Sequence, residues 1–126
     1  MESTRLAHAR IAYQGGYLRA ELSDRQTAEE TRDFLRSVVA AATAHQCDRV
    51  LISIKDSKSL FKVEEYGISA YFKLLASNPS FRVSLLSDVE EVRVSHEYIV
   101  LLAHRYGAQV RSFRSEPDAV AWLLAD

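Results

Sequence analysis

Asp56-Ser57-Lys58-Ser59 joins an apolar run to a helical one, and its residue types could do chemistry. Two hydroxyls beside a carboxylate, with Lys55, Lys58 and Lys62 close in sequence, can receive a phosphoryl group or hold a small anion. The simpler alternative is a solvated connection with a capping serine. Phe61, next to Leu60 in the same polar stretch, reads either as an exposed partner-binding spot or as an anchor onto the core. Tyr66 and Tyr71, with Phe72, fall at helical spacing and line either a pocket or a packed core. The candidates for ligand or partner binding are therefore Asp56, Ser57, Ser59, Phe61, Tyr66 and Tyr71. Ser57 and Ser59 are also the candidates for phosphorylation.

A second polar connection, Ser87-Asp88 followed by Glu90 and Glu91, reads mainly as a helix start. Ser87 or Asp88 is expected to cap it, and carboxylates in a first turn are favoured by the helix dipole without any catalytic duty. Glu64-Glu65 is explained the same way. His8, His45, His96 and His104 are scattered, and the last two are too far apart for the adjacent-turn spacing of metal-binding helices. Cys47 is the only cysteine, which excludes an internal disulfide, and it reads as a small buried hydrophobe between a helix and a strand. Neither a G-x-S-x-G elbow nor a phosphate-binding P-loop is present. No catalytic residue, metal site or cofactor is assigned.

The elements that position these loops follow from periodicity. Arg10 to Tyr13 and Tyr17 to Leu22 read as a strand pair around Gln14-Gly15-Gly16, where glycine permits the positive backbone angles of a tight hairpin. Leu18, Ala20 and Leu22 alternate with Arg19 and Glu21, the period of a strand buried on one face. Thr27 with Glu30 fits a capping box, with Ser23 and Gln26 as a competing pair. Phe34, Leu35, Val38, Val39 and Ala42 then mark an amphipathic helix ending near 44 to 46.

Arg49 to Ile54 is a nearly continuous run rich in branched aliphatics, which predicts an interior strand covered on both faces. Val63, Tyr66, Gly67, Ala70, Tyr71, Leu74 and Leu75 predict a second helix, closed by Asn78-Pro79, with Gly67 packed close to the sheet. Phe81, Val83 and Leu85 predict a strand. Val92, Ile99, Leu102, Ala103 and Tyr106 predict a third helix that stops at Gly107. Gln109 to Phe113 reads as a final strand. Ser115, with Pro117 in the first turn and Asp118 three residues on, opens a terminal helix carrying Val120, Trp122 and Leu123.

The order is β-β-α-β-α-β-α-β-α. Strands separated by helices run parallel through right-handed crossovers, and the opening hairpin adds one antiparallel pair. The fold class is α/β with a mixed five-stranded sheet, in one domain over 1–126. An apolar share of 48% supports an ordered core. The 16 Lys and Arg against 17 Asp and Glu leave no positive field for nucleic acid or anionic lipid. No segment approaches the roughly 20 apolar residues of a membrane span, and the start lacks a signal-peptide core, so a cytoplasmic protein with neither nucleic acid nor membrane as partner is expected.

This element order, with RVLISI at 49–54, YFKLLASNP at 71–79, FRVSLLSD at 81–88 and SEPDAVAWLL at 115–124, resembles the STAS (anti-sigma-factor-antagonist) family and its SpoIIAA-like branch over almost the whole chain. The resemblance implies a compact bacterial cytoplasmic domain. The lipid-binding CRAL-TRIO domains are a looser comparison. In the regulatory members a serine preceded by aspartate, at the start of the helix after the central strand, is phosphorylated by a partner kinase. Asp56-Ser57 is the nearest match here, with Lys58 and Ser59 where that family has small residues and glycine. Alignment on Gly67 instead places the position near Val63, which has no hydroxyl.

Two functions follow as expectations. The first is a non-catalytic regulatory or protein-interaction module, presenting the 55–62 loop and the second helix to a protein partner. The alternative is a binder of a small apolar or lipid-like ligand between sheet and helices, which predicts an internal cavity near Tyr66 and Tyr71. Homodimerisation through an edge strand or helix face fits either.

Overall fold

The computed structural model describes residues 8–57 and 68–125. Its elements are β1 His8–Gln14, β2 Tyr17–Ser23, α1 Ala28–Ala44, β3 Arg49–Lys55, α2 Ile68–Ala76, β4 Arg82–Ser87, α3 Glu90–Arg105, β5 Gln109–Phe113 and α4 Glu116–Leu124. The expectations for Val63, Tyr66 and Gly67 in the second helix lie outside the described residues.

Local chemistry sets most boundaries. Gly15 and Gly16 both take positive φ, so β1 and β2 join through a two-residue turn whose twist matches the strands. The Thr27 side chain accepts from Glu30 N–H while the Glu30 carboxylate accepts from Thr27 N–H, the reciprocal capping box at the start of α1. Gly107 at positive φ stops α3, and the Ser115 hydroxyl caps α4 by accepting Asp118 N–H.

The strands lie in the order β1-β2-β3-β4-β5, with β1 antiparallel to β2 and every other pair parallel. Each parallel strand pairs with the next in sequence. Crossovers of one hand between such neighbours deliver their helices to one face, and α1, α2 and α3 share that face. There Leu22, Val50, Ile52, Ile54, Val83 and Leu85 pack with Phe34, Val38, Phe72 and Val92. The opposite face is covered by α4, whose Ala119 and Leu123 meet Tyr17, Leu51 and Leu86.

β3 is the middle strand, buried from Val50 to Ile54, as its apolar run predicts. Ser53 is the polar interruption in it; its hydroxyl is buried without a hydrogen-bond partner among the described residues. On the α4 side, Arg19 of β2 forks onto both carboxylate oxygens of Glu116 at 2.8 and 2.9 Å and also donates to Glu21 at 2.8 Å, tying α4 to the sheet. No helix among the described residues is long and apolar enough to cross a membrane.

Candidate functional site

The carboxyl ends of β2, β3 and β4 open into three adjacent connections: Asp24–Thr27, the loop from Asp56, and Ser87–Val89. In parallel sheets this edge is where loops and helix starts converge on ligands. Asp24 and Asp56 both take positive φ as the chain turns off its strands. Asp24 N–H donates to Lys55 C=O at 3.2 Å. Asp56 is exposed, and its N–H donates to the Asp88 carboxylate at 3.3 Å, so the two loops singled out in the sequence are joined.

Ser57 is 7% exposed. Its hydroxyl accepts Arg25 N–H at 3.0 Å and donates to Lys55 C=O at 2.8 Å, which locks the β3 loop to the entrance of α1. Ser59, Phe61 and Tyr66 lie outside the described residues. Tyr71 is half-buried beside a pocket described below.

The start of α3 corrects one expectation. Neither Ser87 nor Asp88 caps it; the cap residue is Val89, with no side-chain cap bond. The Ser87 hydroxyl accepts Val89 N–H at 3.1 Å, one position too early, and the Asp88 carboxylate faces the Asp56 backbone instead. Glu90 pairs with Arg93 within the first turn.

A pocket of about 490 Å³ separates the sheet from α1, α2 and α3. Val50, Ile52 and Ile54 all line it, so it follows β3 over four residue steps, or about 13 Å. One end is bordered by the exposed Thr43, Gln46, Leu74, Ser77 and Asn78, at the carboxyl ends of α1 and α2. The other is lined by the buried Arg25, Thr31, Ile54 and His96. Arg25 Nη1 lies 3.5 Å from Thr31 Oγ1. Cys47, buried as its sequence position suggested, also borders the cavity, with Sγ donating to Arg49 C=O at 3.2 Å.

His96 is 5% exposed, and its Nδ1 has no hydrogen-bond partner among the described residues. Burial, aided by the positive charge of Arg25, pushes its pKa down to about 4, so the ring is neutral at pH 7. Sequence reasoning treated the four histidines as a failed metal set and overlooked this one. The signal was present: Val92, His96, Ile99 and Ala103 fall on one stripe of α3, and a polar ring among apolar ones marks a buried polar group. The other shifted groups, Arg19, Glu21 and Glu116, hold one another on the opposite face of the sheet. His96 and this ion cluster therefore do not converge on a common cleft. No group of three or more His, Cys, Asp or Glu residues suited to a metal ion occurs among the described residues.

The architecture agrees with a crystal structure of an uncharacterised protein from the DUF3478 family with a SpoIIAA-like fold, from Shewanella loihica PV-4. The two share 16% sequence identity and a TM-score of 0.63, over 98% of this chain and 99% of that one. The fold is SpoIIAA-like. The likeness spans almost the full length of both chains. At this identity the SpoIIAA-like fold carries no residue roles across, and the chemistry rests on the side chains described above. No family model matches the chain, and no curated protein matches it.

Proposed function

We propose that the protein is a non-catalytic regulatory or protein-interaction module of the bacterial cytoplasm. The observation that carries this reading is an apolar stripe on the outer side of α3. Val94, Tyr98 and Leu101 recur at i, i+4 and i+7 and are 58%, 43% and 63% exposed, opposite the helix face buried in the core. Scattered surface hydrophobes are ordinary, whereas three aligned along one helix form a strip fit to pack against another protein. The SpoIIAA-like fold supports the same reading, as a scaffold used in regulatory domains.

The β3 loop is the second element of the proposal, with Asp56 as a contact residue and Ser57 as a phosphate acceptor. A phosphoryl group on Ser57 would take away its hydrogen bond to Lys55 C=O and crowd Arg25 N–H, releasing the loop from the entrance of α1. Ser59, Phe61 and Tyr66 are proposed as further contact residues, with Ser59 as a second phosphate acceptor.

The test is native mass spectrometry of the protein purified from its own host, beside a Val94→Ser, Leu101→Ser variant of unchanged circular dichroism. A protein that co-purifies with the parent and is lost from the variant is the expected result. A parent that carries nothing, or a partner indifferent to the variant, rejects the surface; a dimer dissolved by the variant reassigns it to self-association.

A second reading, a binder of a small apolar ligand, is favoured by the pocket beneath α1, α2 and α3, with Tyr71 at its wall. Its volume lies in the range of small-molecule sites.

A further inference from the structure

The pocket is not uniform along its length. Its middle is hydrocarbon, lined by Val38, Ile52, Phe72, Leu75, Val83 and Ile99. Among the described residues, buried polar groups come together at its inner end, from the entrance and first turn of α1 and the second turn of α3: Arg25, Thr31 and His96. At about 490 Å³ it is roughly three times the ~150 Å³ apolar cavity that accepts benzene. A space of this size with a mainly apolar lining offers dispersion contacts to an apolar occupant.

His96 adds a second and independent observation. A buried imidazole nitrogen normally finds a partner, because an unmade hydrogen bond forfeits the solvation lost on burial. A neutral imidazole has one donor and one acceptor nitrogen, so Nδ1 can receive a hydroxyl proton or, in the other tautomer, donate to a carboxyl oxygen. Arg25 lines the same end, and its positive charge adds to the burial that keeps the His96 ring neutral.

We infer that the pocket binds an elongated aliphatic molecule with one oxygen head group, of the medium-chain fatty acid or fatty alcohol class, its head hydrogen-bonded to His96 and its chain running along β3 toward the opening between α1 and α2. This rests on the second reading of function and deepens it. A pocket of about 13 Å along β3 suits a chain of medium length rather than a two-tailed lipid. The narrow choice between acid and alcohol is decided by the probes.

The experiment is calorimetric titration of the full chain with dodecanoic acid, 1-dodecanol and dodecane, repeated with His96→Leu, which keeps the volume and deletes the nitrogens. One-to-one binding of the acid or the alcohol to the parent is expected, weakened about tenfold by the variant, with dodecane binding alike to both. Nitrogen NMR of the imidazole in the parent protein gives a readout that does not need the variant to fold: the Nδ1 resonance shifts when the headed probe is added and stays in place with dodecane. If none of the three binds, the ligand-binding reading itself fails. If they bind while His96→Leu and the imidazole resonance are indifferent, that reading stands and the placement of the head group at His96 is overturned.

Discussion

The Ser57 hydroxyl accepts the backbone N–H of Arg25 at 3.0 Å, joining two loops whose residues are 32 apart in sequence. Both groups are buried, so the bond satisfies a main-chain donor that water does not reach. Ser57→Ala leaves that donor unpaired and is expected to lower stability by about 1–3 kcal/mol. Urea unfolding measures it, and a loss below about 0.5 kcal/mol would deny Ser57 this holding role.

The bond between Arg19 and Glu116 fastens α4 to β2 through two parallel contacts, but Glu116 is partly exposed and solvent screens the pair. The hydrogen bond from Arg19 holds both Glu116 and Glu21 below the usual carboxylate range. Their folded pKa values are depressed, so the stability they add is present above the unfolded value of about 4.3 and is lost as pH falls through the lower, folded values. Glu116→Gln is expected to cost about 0.5–1 kcal/mol near neutrality and to flatten the acid limb of a stability profile measured from pH 7 downward. An unchanged acid limb would place the pH sensitivity elsewhere.

His96 titrates in the same sense but in a different window. Burial lowers its pKa from the ordinary 6.5 to about 4, so between those values the unfolded chain binds a proton that the folded chain refuses. Stability is complete above pH 6.5, declines as pH falls toward 4 and then levels off, with a total change on the order of 3 kcal/mol. His96→Leu removes that slope in ligand-free protein. A slope between pH 6.5 and 4 that survives the substitution would contradict the assignment.

Ser53 points to the reverse kind of change. Its hydroxyl is buried in the middle strand with no hydrogen-bond partner among the described residues, so removing it deletes an unmet polar group at little cost in volume. Ser53→Ala is expected to be neutral or to stabilise by up to about 1 kcal/mol in the same unfolding assay. A loss above about 1 kcal/mol would mean that the hydroxyl is satisfied in solution.

Much of the architecture was legible in the residues because it is written in local rules. The unbroken run at 49–54 needs cover on both faces, and β3 is the middle strand. Thr27 with Glu30, Gly15 with Gly16, Gly107, and Ser115 with Pro117 each act within a few residues of themselves, and each marks its boundary in the structure. For the candidate site, Asp56 and Ser57 were singled out by their residue types and Tyr71 by its helical spacing. The role of Ser57 as a bridge to Arg25 was not, because nothing near Ser57 encodes a partner 32 residues away.

The sequence by itself determined which residues turn inward, since burial follows the periods of helix and strand. Tertiary structure alone decided what those inward faces enclose. Periodicity fixes direction but not the distance between α1, α2 and the sheet, and the pocket is that distance. The same holds for Asp88, whose carboxylate chose the Asp56 backbone across the loop over the amides of its own helix, and for His96, whose neutrality depends on the burial and the charge that packing places around it.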